Sequence, residues 1–236
     1  MSISNQRVLA ITLARGGSKG IKRKNLSKIG DKALIDYTIG EAKKSKYIDR
    51  YIISTDDLEI KNHCLNRNVE VPFLRPDYLS SDKASSVDAL QHAVRFCEKE
   101  DNSYDIILEL MCTNPFKNFN DINNCLEMMM DNNADSVIGV SKVEEHHPAR
   151  LKKIINGKIY DFCVPEESGR RQDLRPHAYI RNGSIYALKR EYLMNQNMRF
   201  GGDNSYAYIM PFEKSINIDS KYDLIIAENL ILQRGK

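Results

Sequence analysis

Short apolar runs alternate with stretches of helical spacing along the chain as far as Ser141. The run from Val8 to Leu13 is unbroken and rich in β-branched residues, which is typical of a parallel strand buried on both faces. By the same criteria we predict strands at 8–13, 51–54, 69–74, 106–110 and 136–141, and helices at 34–44, 58–66, 87–98 and 119–130. This alternation predicts a Rossmann-like, doubly wound α/β fold with a mostly parallel sheet, which binds ligands beyond the carboxyl ends of its strands.

A polar segment interrupts the alternation after the last of those strands. It contains Pro148, Gly157 and Pro165, together with a charged run over 166–173. Regular structure then returns as strands at 184–188 and 207–211, a short helix from Arg190 and a final helix at 220–232. We therefore expect a single domain over residues 1–236, with a small inserted arm at about 144–178.

Composition narrows the classes of function that are open to the chain. Hydrophobic residues make up 42% of the 236 positions, enough for one sizeable core, and the formal net charge is only +3. A dedicated nucleic-acid binder is usually far more basic, so we expect no nucleic-acid partner. The sequence shows neither a signal peptide nor a membrane-spanning stretch, and its five cysteines include no C-x-x-C pair. We expect a cytoplasmic protein with no membrane partner, disulfide framework or structural zinc site.

The glycine-rich loop A-R-G-G-S-K-G at residues 14–20 directly follows the first predicted strand. Glycines let backbone N–H groups approach phosphate oxygens, while Arg15 and Lys19 supply positive charge. The loop has neither the Walker spacing nor the dinucleotide G-x-G-x-x-G spacing, so by itself it is equally compatible with an ordinary turn. The run K-R-K-N at 22–25 adds three cations and an amide. Together they indicate a polyanionic ligand such as a triphosphate, with a solvated basic patch as the alternative.

Four sequence blocks together resemble the acylneuraminate (sialic acid) cytidylyltransferase family. They are this loop with its following R-K-N, R-P-D-Y-L-S-S-D-K-A-S-S at 75–86, R-Q-D-L at 171–174 and N-G-S-I-Y at 182–186. The resemblance implies a nucleotidyltransferase-type fold, an arm that serves dimerisation and hence a homodimer, with magnesium as cofactor and CTP as donor. The implied reaction transfers CMP to the anomeric hydroxyl of a nonulosonic, sialic-type acid, such as N-acetylneuraminic or legionaminic acid, and releases pyrophosphate.

The resemblance also assigns roles to individual residues in the loop, the block at 75–86, the segment after the fourth strand, and the arm. The implied catalytic residues are Arg15, Lys19, Lys24 and Asp219, and the implied nucleotide-binding residues are Leu13, Ala14, Arg15, Gly16, Lys24, Asn25, Arg75, Ala84 and Ser86. The implied sugar-binding residues are Met111, Thr113, Lys153, Arg171, Gln172 and Asn182, and the implied magnesium ligands are Asp219 and Asn217.

Two positions depart from the pattern of that family. Asn217 stands where the family's I-D-I-D block has its first aspartate, which removes one negative charge from the implied magnesium site. Either metal affinity falls or another carboxylate, Asp223 or Asp203, compensates. Asp219 itself has a competing role as the N-cap of the last helix. Met111 replaces a glutamine that faces the sugar in the family, which removes a hydrogen-bonding group.

Several alternatives stay open at this point. Two alternatives within the class have a different acceptor. One is Kdo (3-deoxy-manno-octulosonic acid), whose enzymes usually lack G-G-S-K-G. The other is pseudaminic acid, whose enzymes tend to carry arginine in place of Gly20. In another class, Asn217 and Met111 mark the decayed metal and sugar sites of a non-catalytic nucleotide-binding protein. For Ser85 and Ser86, the alternative role is to cap the helix predicted at 87–98.

Overall fold

A mixed β-sheet with helices on both faces makes up most of the protein. The computed structural model describes residues 6–18, 20–100, 103–143, 145–165, 170 and 173–234. The strands are Val8–Leu13 (β1), Lys28–Ile29 (β2), Lys32–Ala33 (β3), Arg50–Ser54 (β4), Ile106–Leu110 (β5), Ser136–Val143 (β6), Lys152–Ile155 (β7), Lys158–Asp161 (β8), Ala178–Lys189 (β9) and Ser205–Ile209 (β10). The α-helices are Leu34–Ala42 (α1), Leu58–Leu65 (α2), Ser86–Glu100 (α3), Phe119–Asp131 (α4), Arg190–Gln196 (α5) and Lys221–Arg234 (α6).

Six strands form the central sheet, in the order β10-β6-β9-β5-β1-β4. The neighbours β1 and β4, β1 and β5, and β10 and β6 are parallel. Strand β9 runs antiparallel to both β5 and β6. The predicted mostly parallel, doubly wound sheet is therefore confirmed. The strand predicted at 184–188 is longer than expected, because β9 continues past β5 and pairs with β6 as far as Ala178.

The two faces of the sheet are each covered by helices, which explains why the central strands are almost entirely apolar. In β1, Val8 and Ala10 pack on one side with α4, while Leu9 and Ile11 pack on the other with α3. Successive side chains of a strand point to opposite faces, so burial on both faces requires apolar residues at every position. This arrangement leaves the carboxyl ends of the strands as the place where polar side chains gather.

The segment predicted as a strand at 69–74 does not form one. It makes only isolated bridges, from Glu70 to Ile52 and from Leu74 to Thr55. Pro72 lies between these bridges. Because proline has no N–H group to donate to a neighbouring strand, the ladder is interrupted there. The segment nevertheless follows the edge strand β4 and leads directly towards Arg75.

A buried lysine holds the loop between β5 and α4. The ammonium of Lys117 donates to the carbonyl oxygen of Met111 at 2.7 Å, to that of Asn114, and to Thr38 Oγ1 at 3.0 Å. The side chain is fully buried, and desolvation lowers its pKa to about 7. Lys117 thus fixes the backbone of the loop that follows β5, on which part of the site is built.

A two-stranded hairpin, β7 and β8, lies within the segment predicted as an inserted arm. Its turn is Asn156-Gly157, and both residues have positive φ, as a tight hairpin turn of this type requires. All eight strand residues of the hairpin are exposed. Residues 144, 166–169, 171 and 172 of the same segment lie outside the described residues.

The thiols and helices can be compared with the sequence expectations. All five cysteines are free; four of them are buried, and Cys163 is exposed. Burial raises the pKa of Cys112 to about 11, so this thiol stays protonated near neutral pH.

In the described part of the chain, none of the helices combines the length and apolarity that a membrane crossing requires.

Candidate functional site

A cavity of about 320 Å³ opens where the carboxyl ends of β1 and β5 meet the start of α3. Such a position at the carboxyl edge of the sheet is the expected one for ligands in this kind of fold. Most of the residues predicted to bind a nucleotide line it, namely Leu13, Arg15, Lys24, Asn25, Arg75, Ala84 and Ser86. Two do not line it: Ala14 is buried beneath the loop, and Gly16 packs against Asp57.

The first residues of the glycine-rich loop are held by hydrogen bonds from β4 and the turn after it. The amide of Ala14 donates to the carbonyl oxygen of Ser54 at 3.0 Å, which extends the pairing of β1 with β4. The amide of Gly16 donates to Oδ1 of Asp56 at 3.0 Å. The loop backbone is therefore positioned before any ligand binds.

Asn25 supports the same loop from a buried position. Its Nδ2 donates to the carbonyl oxygen of Arg15 at 3.0 Å, and its Oδ1 accepts from Sγ of Cys112 at 3.1 Å. The predicted polar residue of the K-R-K-N run thus braces the loop as well as lining the cavity. Lys19, which was predicted to share the phosphate charge, lies outside the described residues.

Two arginines of the cavity are paired with carboxylates. Arg15 lies 2.9 Å from Asp82, and both side chains are partly exposed. Arg75 is buried, with a nitrogen 3.7 Å from Asp56, and its Nε donates to Ser80 Oγ at 3.0 Å. Burial lowers the pKa of Arg75, and Asp56 offsets part of that effect. Arg75 is thus a fixed wall of the cavity, whereas Arg15 can exchange its partner.

Asp219 lies where the segment after the glycine-rich loop meets the segment before the last helix. Lys24 Nζ donates to its Oδ1 at 2.8 Å, and Asn217 Nδ2 donates to its Oδ2. The alternative role of Asp219 as a helix cap is wrong, because α6 begins at Lys221 and Ser220 caps it through reciprocal hydrogen bonds with Asp223. Asp219 is therefore available to a ligand, and the carboxylate of Asp223 is committed to the start of the helix.

The residues around Asp219 can be tested for their fit to magnesium. Within the described part of the chain, no group of three or more His, Cys, Asp or Glu side chains forms a metal site. Magnesium needs only one or two carboxylates when substrate phosphates and water complete its shell. Asp219 supplies one, and Oδ1 of Asn217 is a buried acceptor without a hydrogen-bond partner among the described residues. A half-turn of this amide would bring Oδ1 beside Asp219. The set fits an ion that arrives with a triphosphate.

The start of α3 separates the roles of the two neighbouring serines. Ser85 Oγ accepts from the amide of Val87 at 3.1 Å, so Ser85 caps the helix. Ser86 is the first helical residue, and it lines the cavity together with Ala84 and Ser85 itself. Free N–H groups at a helix N-terminus favour an anion there. The capping role predicted as the alternative therefore belongs to Ser85 and leaves Ser86 accessible.

A second cavity, of about 620 Å³, adjoins the first. Met111 and Arg199 line both cavities, while Asn182 and Asn217 line the second. Asn182 is buried, and its Nδ2 donates to Ser215 Oγ at 3.1 Å. Lys24 lines the first cavity and Asn217 the second, so the Asp219 carboxylate, which bonds with both, connects a wall residue of each.

The remaining residues predicted to bind a sugar are placed differently. Thr113 lines the first cavity rather than the second. Lys153 lies on the exposed hairpin strand β7 and lines neither of these two cavities. Arg171 and Gln172 lie outside the described residues. The structure thus brings Met111 and Asn182 together at the second cavity and leaves Lys153 outside it.

Two residues of the cavity walls, Glu109 and Arg199, were missed by the sequence predictions. Glu109 is a lone charge within the otherwise apolar strand β5, and it is 2% exposed. Such a residue requires a partner of opposite charge, so the strand pattern did contain a signal. Arg199 lies in a polar loop, where an arginine is ordinary and gives no signal.

Comparisons with known proteins agree with this geometry. A family model described as cytidylyltransferase matches residues 9–196. The chain is 33% identical over 232 residues to the post-translational flagellin modification protein B of Campylobacter coli, covering 97% of this chain and 96% of that protein. It is 31% identical over 222 residues to the pseudaminic acid cytidylyltransferase of Campylobacter jejuni (strain 81-176), covering 94% and 95%.

A streptococcal relative is similar to nearly the whole of this chain, but the match covers only part of that protein. It is 31% identical over 219 residues to the N-acylneuraminate cytidylyltransferase of Streptococcus agalactiae, covering 92% of this chain but 51% of that protein. The chain therefore spans about half the length of this relative. Among solved structures, CMP:2-keto-3-deoxy-manno-octonic acid synthetase complexed with CTP has a TM-score of 0.72 at 17% identity, covering 97% and 99%. That likeness concerns the fold.

The glycines of the loop yield a prediction about close packing. A Cβ on Gly20 would lie 2.2 Å from the carbonyl oxygen of Asp219, whereas a Cβ on Gly17 would meet nothing within 4 Å. We expect Gly20→Ala to displace the Asp219 segment and to reduce the rise in melting temperature that CTP and magnesium produce. The overpacking itself should cost about 1–3 kcal/mol of unfolding free energy. Gly17→Ala is the matched control for packing within the protein, and it should leave the melting temperature of the ligand-free protein unchanged. Equal behaviour of the two variants would contradict this packing argument.

Proposed function

The chain belongs to the cytidylyltransferase family, and we propose that it transfers CMP from CTP to the anomeric hydroxyl of a nonulosonic acid, with release of pyrophosphate. The observation that carries the proposal is the position of Asp219, whose carboxylate bonds with Lys24 beside one cavity and Asn217 beside the other. A nucleotide in the first cavity and a sugar acid in the second would meet there. An attack of the sugar hydroxyl on the α-phosphorus requires this adjacency.

On the nucleotide side, the chain supplies positive charge from two directions. Arg15 approaches from the loop and Lys24 from the run that follows it, and both line the first cavity. A triphosphate carries several negative charges, so we expect Arg15 to leave Asp82 for the phosphates when CTP binds. Lys19, from the same loop, is the third expected phosphate ligand. Because cells make CTP in the cytoplasm, we place the reaction there.

Asp219 and Asn217 are the residues that would hold magnesium with the triphosphate. Bound there, the ion would neutralise charge on the phosphate oxygens and on the departing pyrophosphate. Lys24 stays beside Asp219, where it can stabilise negative charge that develops as the phosphoryl group is transferred. Thus the chain's own contribution is to position the reactants and to balance charge between Lys24 and Asp219.

On the sugar side, the second cavity suits an acidic acceptor. Its described lining residues include Arg181 and His146 and no Asp or Glu, while the charge of its other arginine, Arg199, is balanced by Glu109. A carboxylate on the acceptor would therefore meet favourable charge. Relatives of this chain act on such acids according to their names, pseudaminic acid and N-acylneuraminate among them. We propose that Lys153 and Arg171 add to this charge from the arm, together with Gln172.

The non-catalytic alternative is disfavoured by the state of the junction between the cavities. In such a protein, we would expect the charge lost at position 217, where Asn217 replaces an aspartate, to be accompanied by loss of the neighbouring charged residues. Instead Lys24 and Asp219 are both present and bonded to one another. Kdo and pseudaminic acid are the alternatives within the class, and they differ from sialic-type acids in size or configuration, so an acceptor series separates them.

We predict pyrophosphate release when the chain is supplied with CTP, magnesium and a sialic-type nonulosonic acid. The series should contain N-acetylneuraminic, legionaminic and pseudaminic acids and Kdo, each measured also with ATP, GTP and UTP. The highest kcat/KM should belong to CTP with N-acetylneuraminic or legionaminic acid, and a higher value with pseudaminic acid would favour that alternative acceptor. Activity with Kdo alone would replace the proposed acceptor. Stabilisation by CTP without turnover of any acceptor would refute the enzyme and favour a binding protein.

We also propose that the chain acts as a homodimer joined through the arm. The hairpin exposes Ile154, Ile159 and Phe162, which are 76%, 70% and 60% exposed. Ile154 and Ile159 lie opposite each other on one face of the hairpin. Apolar side chains this exposed and this close together favour burial against another surface. A second copy would bury both arms and bring Lys153 of each towards the partner's sugar cavity.

The homodimer predicts a particle mass of about twice the 27.1 kDa chain in solution. The double variant Ile154→Glu/Ile159→Glu should be a monomer and should lose most activity, because charge on both positions opposes burial of the hairpin. Leu58→Glu is the control: Leu58 is 62% exposed on α2, away from the arm, and should leave the mass unchanged. Light scattering after size exclusion measures all three. A monomeric wild type, or a double variant that remains dimeric, would contradict the proposal.

A further inference from the structure

Arg199 lies in the wall between the two cavities and lines both of them. It belongs to the loop between α5 and β10, and its side chain is 18% exposed. Nε donates to Oε2 of Glu109 at 2.5 Å, and Nη2 donates to Oε1 at 2.8 Å. This two-pronged pairing fixes the plane of the guanidinium as well as its position. Because Glu109 is buried within β5, the sheet determines where Arg199 lies.

The pair with Glu109 leaves part of the guanidinium unused. Nη1 carries two N–H groups, and within the described part of the chain neither donates a hydrogen bond. Although burial alone would lower it, the interaction with Glu109 raises the pKa of Arg199, so the guanidinium stays charged. The pair as a whole is neutral. It therefore offers donors to a ligand without attracting anions strongly from a distance.

Met111 and Tyr186 lie beside the guanidinium. Sδ of Met111 lies 3.4 Å from Nη2, and the guanidinium lies over the ring of Tyr186 at 4.4 Å from its centroid. A ligand carboxylate here would approach the negative charge of Glu109, and a ligand ammonium would approach the positive charge of Arg199. The group that fits best has a neutral acceptor oxygen next to a small apolar part. The carbonyl and methyl groups of an acylamino substituent meet that description.

We propose that Arg199 is a specificity-determining residue, which donates from Nη1 to the carbonyl oxygen of an acylamino group on the acceptor sugar. Glu109 is its positioning residue, and Met111 and Tyr186 contact the acyl group. This inference rests on the proposed function and adds a requirement to it, namely that the preferred acceptor is acylated. A hydroxyl in place of the acylamino group would leave the apolar contacts unfilled and the hydrogen bond poorly placed.

The experiment measures kcat and KM for the most active acylamino acceptor of wild type and for its counterpart with a hydroxyl in that position. Wild type should prefer the acylamino acceptor by about 10- to 100-fold in kcat/KM. In the double variant Arg199→Met/Glu109→Leu, which removes both charges together, this preference should fall to about 3-fold or less, while KM for CTP stays within about 3-fold. CTP-dependent thermal stabilisation checks that the variant is folded.

Two single variants keep the test decisive. Arg199→Lys retains a cation beside Glu109 but has no counterpart of Nη1, the proposed donor to the sugar. The preference for the acylamino acceptor should therefore fall as in the double variant. It replaces the double variant if that protein does not fold. Arg181→Met is the matched control, because Arg181 lines the sugar cavity and packs over Phe200 instead. It should weaken both acceptors equally and leave the preference unchanged.

The outcomes separate this inference from the function on which it rests. If wild type acts on nonulosonic acids but Arg199→Lys and the double variant keep its preference, the role of Arg199 is refuted and the proposed function stands. If the variants raise KM for CTP instead, Arg199 serves the nucleotide, and the inference is also refuted. If wild type transfers CMP to no nonulosonic acid, both fail together.

Discussion

The ion pair between Lys24 and Asp219 joins segments that are 195 residues apart and places the chemistry of the site. Lys24 follows the glycine-rich loop after the first strand, and Asp219 precedes the last helix. Gly20 lies so close to the carbonyl of Asp219 that a side chain has no room there. This contact links the walls of the two cavities, because Lys24 borders one and Asn217, which also bonds with Asp219, borders the other. Loop, acid and both cavities therefore depend on one junction.

Pairing of cations with carboxylates recurs throughout the site. Arg15 has Asp82 as its partner, and the partly buried Arg199 has the fully buried Glu109. The first pair is partly exposed, so water and salt weaken it and a triphosphate can replace the aspartate. The second is buried, where separating the charges is costly, so it keeps its geometry. Exposure thus divides the cations into those that exchange partners with substrate and those that shape the cavities.

Much of the fold could be predicted from the sequence because the apolar pattern of each central strand reflects local burial. The loop and its cations were equally visible, since they lie within a dozen residues of one another. The missed features depend on distant partners. Glu109 needs Arg199 from a loop 90 residues further on, and the freedom of Asp219 follows only once Ser220 is seen to cap the helix. Lys153, Arg171 and Gln172 stay predictions, because the role proposed for them depends on a second copy of the chain.

We propose that Asp219, with Asn217 beside it, holds the magnesium that accompanies CTP. The most direct measurement is the magnesium concentration that gives half-maximal CMP transfer, in wild type, Asp219→Asn and Asn217→Asp. We predict that Asp219→Asn raises this concentration about 10-fold or more, and that Asn217→Asp lowers it, because a second carboxylate strengthens binding of a hard cation. An unchanged magnesium dependence in both variants would contradict the claim and place the metal elsewhere.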